Sequence, residues 1–180
     1  MHPEAKKILV REEDINSRVK ELGDLISRDY RDTDGLLVVG ILKGAVIFMA
    51  DLVRQLTIPV KLDFMAVSSY GKASESSGVV RILKDLEHNI QGKHLLIVED
   101  IVDTGLTLKY LKENLETRGP ASLKICTLLD KPARRKVNVE VNYNGFIIGD
   151  EFVVGYGLDY NERYRNEKSI FILKPEVYAS

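Results

Sequence analysis

The stretch that decides the fold is residues 95–108, LLIVEDIVDTGLTL. It begins inside an apolar run, HLLIV at 94–98, of the kind that forms a strand covered on both faces in a parallel sheet. It ends in a predicted amphipathic helix, because Leu108, Leu111 and Leu115 recur at intervals of three and four residues. In open α/β sheets, ligands bind beyond the carboxyl end of such a strand. The turn between this strand and this helix is therefore the first candidate for a site.

The same alternation of strand and helix extends to both sides of this stretch. A helix is predicted over 12–30, with its apolar face formed by Ile15, Val19, Leu22 and Ile26. A second helix is predicted over 44–56, with its apolar face formed by Val46, Met49, Val53 and Leu56. Further strands are predicted over 36–41, 60–67, 79–83 and 123–129. This alternation predicts an α/β fold with a mainly parallel central sheet flanked by helices.

The pattern changes to short strands after residue 130. Four of them are predicted between Asn, Gly and Asp turns: VNVEV at 137–141, GFIIG at 145–149, FVVGYG at 152–157 and SIFILK at 169–174. We expect them to form a small hood at one end of the central sheet.

Composition limits the class of protein. The 180 residues are 44% hydrophobic and 29% charged, which suits a single domain over 1–180. With 26 Lys and Arg against 27 Asp and Glu, the chain lacks the basic excess of a nucleic-acid binder. The only cysteine, Cys126, lies in an apolar run and is expected to be a small buried hydrophobe, so a disulfide within the chain and a Cys-rich zinc site are excluded. No run reaches the roughly 20 apolar residues of a membrane span, so we expect a cytoplasmic protein with no membrane partner.

The turn after the 94–98 strand has the residues of an anion site. Thr104, Gly105 and Thr107 place hydroxyls and open backbone N–H groups at the start of the next helix. The N-terminus of a helix attracts anions, and phosphate is its natural occupant. Gly105 also lets the backbone approach a ligand closely.

Three carboxylates share this turn: Glu99, Asp100 and Asp103. They would repel a bare phosphate, unless the ligand also carries sugar hydroxyls or a hard cation that carboxylates bind. The inferred ligand is therefore a phosphorylated sugar handled with Mg²⁺. An ordinary strand-to-helix turn with an Asp or Thr cap would account for one of the acids but not for three.

The turn lacks the GxxxxGK[ST] and GxGxxG patterns of other phosphate-binding loops. It resembles the phosphoribosyl pyrophosphate signature of the type I phosphoribosyltransferases: apolar strand, two acids, two apolar residues, then Asp-Thr-Gly-x-Thr. Four further segments resemble the hypoxanthine-guanine phosphoribosyltransferase family over nearly the full length of the chain: VGILKGAVIFMADL (39–52), SSYG (68–71), LLDKP (128–132) and FVVGYGLDYNERYRN (152–166). The resemblance implies a type I phosphoribosyltransferase-like fold and purine salvage that produces IMP.

The resemblance also implies where phosphoribosyl pyrophosphate and Mg²⁺ bind. Lys43, Gly44 and Arg165 would hold the pyrophosphate, and the family often has a cis Lys-Gly peptide at the first two. Glu99 and Asp100 would bind the ribose hydroxyls and Mg²⁺, and Asp159 would complete the metal site. The backbone of Thr104, Gly105, Leu106 and Thr107 would cradle the 5′-phosphate.

The remaining roles implied by the resemblance concern the purine. Asp103 would be the general base toward N7. Lys131 would select a 6-oxopurine, because an ammonium donates hydrogen bonds and accepts none. Phe152 would stack on the ring, and the backbone of Val153 would read its edge. Ser69 and Tyr70 would belong to a loop that closes over the reacting centre and excludes water.

Three of these residues have plain alternatives without the family. Lys43 would then be an exposed lysine in a strand-end turn, Lys131, in the basic turn DKPARRK, a solvated surface charge, and Phe152 a core aromatic of a strand. SSYGKASESSG at 68–78 would be either a solvated hairpin loop or a mobile lid. His2, His88 and His94 fit no catalytic spacing and are expected to be structural.

The sequence departs from the family pattern at two positions. Leu106 stands where many relatives carry Lys, so a side-chain contribution to phosphate binding is lost there. Glu151 stands where many relatives carry Lys before the aromatic residue, which alters the charge of the base pocket.

The leading hypothesis is an Mg²⁺-dependent enzyme that uses phosphoribosyl pyrophosphate and a 6-oxopurine, and the family suggests a homodimer or homotetramer. A second hypothesis is a relative specific for xanthine, adenine or uracil. Lys131 with Phe152 argues against adenine and uracil and leaves xanthine open. A third, a regulator on the same scaffold that binds RNA, is disfavoured because the chain has no basic stripe interleaved with aromatic residues.

Overall fold

The computed structural model describes residues 2–70 and 79–179. Most of the predicted closing loop, residues 71–78, lies outside this described part, as do the side chains of Ser69 and Tyr70. The choice between a hairpin loop and a lid therefore stays a prediction.

A six-stranded sheet forms the centre of the molecule. Its strands run in the order β4-β3-β2-β5-β6-β7, with the bounds Val79–Lys84, Val60–Tyr70, Leu36–Leu42, His94–Val102, Ser122–Asp130 and Tyr143–Ile147. Every neighbouring pair is parallel except β3 and β4, which are antiparallel. This confirms the predicted α/β fold with a mainly parallel central sheet.

Helices cover both faces of the sheet, which is why its central strands are apolar throughout. On one face lie α1 (Glu12–Asp29) and α2 (Val46–Val53), packed against alternate residues of β2 and β5 such as Val38 and Leu96. On the other lies α3 (Leu106–Glu116), packed against residues such as Val39. The apolar faces predicted for the first and third helices are buried as expected.

The inward face predicted for the second helix was wrong in part. Met49 is buried and Val53 and Leu56 pack against the core as predicted, but Val46 is 37% exposed, and Phe48 and Leu52 are buried although they were not predicted to be. The helix begins two residues later than predicted, and its mean composition is so apolar that spacing alone does not identify the face that meets the sheet.

The hood is an antiparallel sheet of three short strands in the order β1-β9-β8. Its strands are β1 (Ala5–Val10), β8 (Val153–Val154) and β9 (Ile170–Leu173), and helix α4 (Pro175–Tyr178) follows. The prediction of a hood is confirmed, but β1 was not predicted. None of the described helices is both long enough and apolar enough to cross a membrane.

Two of the short strands were placed wrongly. Residues 137–141 form no strand: their backbone joins no ladder, although Val139 packs into the core beside α3. Residues 145–147 end β7, which pairs with β6 in the central sheet and does not join the hood.

Asp63 fastens β3 to the loop that precedes β5. Asp63 is only 3% exposed. Its carboxylate accepts hydrogen bonds from the backbone N–H groups of Phe64 (2.8 Å), Glu87 (2.9 Å) and His88 (3.1 Å). His88 Nδ1 lies 2.8 Å from the same carboxylate, which gives His88 the structural role expected of it.

We expect Asp63→Ala to lower the free energy of unfolding by about 2–3 kcal/mol, because buried donors would lose their acceptor. Urea denaturation would measure the change, with Asp24→Ala as control, since Asp24 only pairs with Lys20 on the surface of α1. A loss no larger than that of the control would contradict this account.

The stability lost in Asp63→Ala should depend on pH. Burial disfavours the charged form of Asp63, but the hydrogen bonds from His88 and the backbone outweigh it and hold the pKa below its ordinary value. A carboxylate with a lowered folded pKa stabilises the protein above its unfolded pKa, about 4, and the stabilisation is lost as the pH falls further. The gap between the wild type and Asp63→Ala should therefore narrow below about pH 4.

Candidate functional site

The predicted site lies at the carboxyl edge of the central sheet, where β5 and β6 end side by side. Val102 is in register with Asp130, the last residue of β6. At this edge, a cavity of about 160 Å³ is lined by residues 99–105 together with Thr107 and Leu108. The stretch chosen from the sequence thus forms one continuous wall of a cavity.

The start of α3 is open to a ligand. Gly105 precedes the helix in the left-handed region, with φ at +84°, a conformation that favours glycine. It has no side chain to cap the helix, and Thr104 Oγ1 accepts from Leu106 N at 3.3 Å. The geometry suits an anion held by backbone N–H groups at the helix N-terminus.

Glu99 and Asp100 form a pair of crowded carboxylates at the end of β5. Glu99 is 9% exposed, and its Oε1 accepts from Asp100 N at 3.1 Å. Asp100 Oδ1 accepts from Ile101 N at 2.8 Å. Burial, followed by the charge of Asp100, raises the pKa of Glu99 well above its usual range, and burial also raises the pKa of Asp100. A bound cation would offset both the cost of burying these two negative charges and their mutual repulsion.

Gly44 brings the loop after β2 against this pair. A Cβ built on Gly44 would lie 1.9 Å from Asp100 Oδ2. On the other side, a Cβ on Gly157 would lie 2.2 Å from the carbonyl oxygen of Gly44. The cis peptide bond of this loop joins Leu42 to Lys43, one bond earlier than the resemblance implied. Three segments that are distant in sequence therefore meet at Gly44.

A second cluster of charged side chains lies beside Gly157 and is formed by the segment 159–165 with Lys43. Arg165 Nη1 donates to the carbonyl of Gly157 at 2.7 Å, and Arg165 Nη2 lies 3.0 Å from Asp159 Oδ1. Lys43 Nζ lies 2.9 Å from Glu162 Oε2, and Glu162 N donates to Asp159 Oδ2 at 2.9 Å. The predicted pyrophosphate residues each pair with a carboxylate of this segment, Lys43 with Glu162 and Arg165 with Asp159.

The three predicted metal ligands do not form one cage. Within the described residues there is no group of three or more acidic, His or Cys side chains close enough to hold a metal ion. Glu99 and Asp100 lie together, whereas Asp159 pairs with Arg165. Mg²⁺ is commonly held by one or two carboxylates plus substrate phosphates, so two partial sites remain compatible with the assignment.

Asp103 lies at the turn and is held by Arg134, whose Nε is 2.7 Å from Asp103 Oδ1. The same guanidinium reaches Asp150 Oδ1 at 3.3 Å through Nη1. Sequence reasoning missed Arg134, Asp150 and Glu162. The only signal was the basic turn DKPARRK, and nothing in it indicates which acid each cation meets.

Lys131 is not the solvated surface charge that the local sequence favoured. It is 7% exposed, and its Nζ donates to the carbonyl oxygen of Glu151 at 2.6 Å. Burial lowers the pKa of this ammonium. Glu151, which stands where many relatives carry Lys, therefore contacts Lys131 through its backbone carbonyl and not through its side chain.

Phe152 is not a core aromatic. It is 39% exposed, with its ring 5.1 Å from that of Tyr178 and 5.8 Å from that of Tyr160, while the adjacent Val153 is buried in the hood. A partly exposed ring beside a buried ammonium suits a planar ligand with an acceptor at its edge.

Comparison with known proteins defines the class. The family description "Phosphoribosyl transferase domain" matches residues 12–161, which include the site residues from Lys43 to Asp159 but not Glu162 and Arg165. The chain therefore has a phosphoribosyltransferase domain, and the paired acids and the start of α3 lie within it.

Close relatives narrow this class. The chain is 54% identical over 178 residues to hypoxanthine-guanine phosphoribosyltransferase of Mycobacterium bovis, covering 96% of this chain and 88% of the relative. It is 51% identical to the Bacillus subtilis enzyme of that name, covering 100% and 99%. A crystal structure of a hypoxanthine phosphoribosyltransferase from Staphylococcus aureus superposes with a TM-score of 0.96 at 52% identity, covering 100% and 97%. The chain therefore belongs to the hypoxanthine-guanine phosphoribosyltransferase family, whose members are glycosyltransferase enzymes.

Proposed function

We propose that the protein transfers 5-phosphoribose from phosphoribosyl pyrophosphate to hypoxanthine, and to guanine, giving IMP or GMP and pyrophosphate in purine salvage. The observation that carries this proposal is the meeting of an open helix start, two crowded carboxylates and a buried ammonium at one sheet edge. These groups match a phosphate, ribose hydroxyls and the oxo group of a purine.

Phosphoribosyl pyrophosphate would bind along this edge from α3 to the loop after β2. The backbone of Thr104, Gly105, Leu106 and Thr107 would cradle the 5′-phosphate, as the uncapped start of α3 supports. Lys43, Gly44 and Arg165 would receive the pyrophosphate. Glu162 and Asp159 now occupy the two cations, so substrate binding would exchange these ion pairs for contacts with phosphate oxygens.

Family membership implies a divalent metal, and we propose Mg²⁺. Glu99 and Asp100 fit this ion, because they are hard oxygen donors whose raised pKa values reflect the cost of crowding two buried charges. Asp159 would contribute from the side of the pyrophosphate. When bound, Mg²⁺ would offset the negative charge of the departing pyrophosphate.

Asp103 would take a proton from the purine. As the bond from C1 of the ribose to the pyrophosphate oxygen breaks, its electron pair leaves with pyrophosphate, and N9 of the purine forms the new bond to C1. The proton on N7 would pass to Asp103, which leaves a neutral base in the nucleotide product. Ser69 and Tyr70 would close over this centre and limit hydrolysis.

Lys131 would select the 6-oxopurine, with Phe152 stacking on the ring and the backbone of Val153 at its edge. Its ammonium has three donors, of which one is used by the carbonyl of Glu151. A second donor remains for the oxo group, whereas a 6-amino group would offer the ammonium no acceptor. The choice between hypoxanthine, guanine and xanthine is left to backbone geometry.

We expect Lys131→Gln to reduce kcat/KM for hypoxanthine by about 10- to 100-fold, the effect of losing one charge-assisted hydrogen bond. The ratio of kcat/KM for hypoxanthine over adenine should fall with it, because an amide presents both a donor and an acceptor. Steady-state kinetics with each base would measure both changes. Lys136→Gln, in the same basic turn, is the matched control. An unchanged preference between the two bases would contradict the role of Lys131.

The proposed function is tested by incubating the protein with phosphoribosyl pyrophosphate, MgCl₂ and one base at a time, and separating the nucleotides by chromatography. We expect IMP and GMP, no AMP or UMP, and no product in excess EDTA. If xanthine were the only base that gave a product, the protein would be a xanthine-specific relative and the proposal would be wrong.

The organisation of the chain is also a proposal. We propose that residues 1–180 act as one domain, which is supported by the pairing of the first strand, β1, with the last, β9. A homodimer or homotetramer and a cytoplasmic location are expectations from the family, and the solution mass would decide the first of them.

A further inference from the structure

Arg134 is the residue in direct contact with the carboxylate of Asp103. Its Nε lies 2.7 Å from Asp103 Oδ1, and hydrogen bonding to Asp103 raises the pKa of the guanidinium. Asp150 reaches the same guanidinium at 3.3 Å from the other side. Arg134 thus joins the turn after β5 to the start of the segment that carries Glu151 and Phe152.

The segment that carries Arg134 is fixed to the turn that carries Asp103. Lys131 N donates to the carbonyl of Val102 at 2.9 Å, and Lys136 N donates to the carbonyl of Thr104 at 2.9 Å. These two hydrogen bonds flank Asp103 on both sides. Between them, Pro132–Arg134 forms a single 3-10 turn, and Arg135 makes an ion pair with Asp130. The guanidinium is therefore mounted on a braced segment and not on a free loop.

Among the side chains that the structure describes, only Oδ1 of Asp103 has a hydrogen-bond partner, which is Arg134. The described side chains, which do not include those of Ser69, Tyr70 and Val79, give Oδ2 no hydrogen bond. A hydrogen bond to one oxygen restricts rotation of the carboxyl group and leaves the second oxygen as an acceptor of fixed direction. General base catalysis requires an acceptor held within hydrogen-bond reach of the proton.

We propose that Arg134 is a positioning residue for the transfer reaction, holding Asp103 through Oδ1 so that Oδ2 receives the proton of the purine. This inference rests on the proposed function. Arg134 acts through Asp103, and Asp150 restrains Arg134 in turn. Buried Lys131, beside the same turn, contacts the carbonyl of Glu151 and leaves the carboxylate of Asp103 to Arg134.

The test compares Arg134→Gln and Arg134→Lys with a control, Arg118→Gln. Arg118 makes a comparably exposed ion pair with Asp85, at 2.9 Å, far from the site. Exposed pairs contribute little to stability, so all three variants should keep the thermal midpoint of the wild type. We expect Arg134→Gln to lower kcat for IMP formation by about tenfold, through loss of orientation, with KM for phosphoribosyl pyrophosphate within about twofold.

Two further results distinguish positioning from a general effect on the fold. Arg134→Lys should recover part of the lost kcat, because it keeps the charge but not the planar guanidinium. Asp103→Asn combined with Arg134→Gln should be no slower than Asp103→Asn alone, since residues that act as one unit are not additive.

Several outcomes would overturn the inference: a kcat for Arg134→Gln equal to that of Arg118→Gln, a faster kcat, a loss confined to KM for phosphoribosyl pyrophosphate, or additive losses in the double variant. These leave the proposed function standing if the wild type makes IMP. A wild type that makes no nucleotide from any base would overturn the proposed function, and the role of Arg134 with it.

Discussion

The Asp103→Asn variant is expected to lose about 10²–10⁴-fold in kcat, the range attributed to one positioned acid or base. The amide is nearly isosteric and can still accept from Arg134 through its oxygen, but it cannot take up a proton from N7. Because Asp103 contacts Arg134 and not the start of α3, binding of phosphoribosyl pyrophosphate should change by less than about threefold. Initial-rate kinetics of IMP formation and calorimetric titration with phosphoribosyl pyrophosphate would measure the two quantities.

The control for this variant is Asp85→Asn, which removes a carboxylate from an exposed pair with Arg118 on the far side of the molecule. It should leave kcat unchanged. Equal losses of turnover and of phosphoribosyl pyrophosphate affinity in Asp103→Asn would mean that Asp103 is a binding residue and not the base.

The second large effect is expected for Gly44→Ala. The added Cβ would lie 1.9 Å from Asp100 Oδ2, inside the contact distance of any two heavy atoms, so either Asp100 or the loop after β2 must move. Asp100 has little freedom, because Ile101 N holds its other oxygen at 2.8 Å. A displacement of about 1 Å can reduce catalysis by about 100-fold, and we expect at least that loss in kcat/KM for phosphoribosyl pyrophosphate.

The control is Gly92→Ala, which distinguishes the displacement of Asp100 or its loop from a general loss of stability. Gly92 also has a positive φ, +72°, but a Cβ there would meet nothing within 4 Å, and it lies at the opposite edge of the sheet. It should lower the thermal midpoint by a few degrees and leave the kinetics intact. If Gly44→Ala kept the kcat/KM of the wild type, the close approach of Gly44 to Asp100 would have no part in the site.

The sequence was sufficient for five of the six strands of the central sheet and for the turn at 99–107, because these depend on local signals, whereas β7 was placed in the hood. Apolar runs such as 94–98 and 123–129 identify buried strands, and the acids, threonines and glycine of the turn carry their chemistry at fixed spacing. The missed strand β1 pairs with β9 at the other end of the chain, so its existence depends on a partner that local pattern does not reveal.

The contacts within the site could not be predicted for the same reason. Arg134 and Asp103 are 31 positions apart, and Lys43 and Glu162 are 119 apart. Which cation meets which acid depends on how the loops at the sheet edge pack, and many pairings would satisfy the same composition. The burial of Lys131 likewise depends on Glu151, whose carbonyl is placed by the turn after β7.

The most direct test of the account is the stoichiometry of the reaction with phosphoribosyl pyrophosphate, Mg²⁺ and hypoxanthine. IMP and pyrophosphate would be quantified together over the initial phase, with and without the base. The account predicts that the two products appear in equal amounts, and that pyrophosphate release nearly stops when hypoxanthine is omitted. Absence of IMP, or release of pyrophosphate that does not depend on the base, would contradict transfer of phosphoribose to a purine.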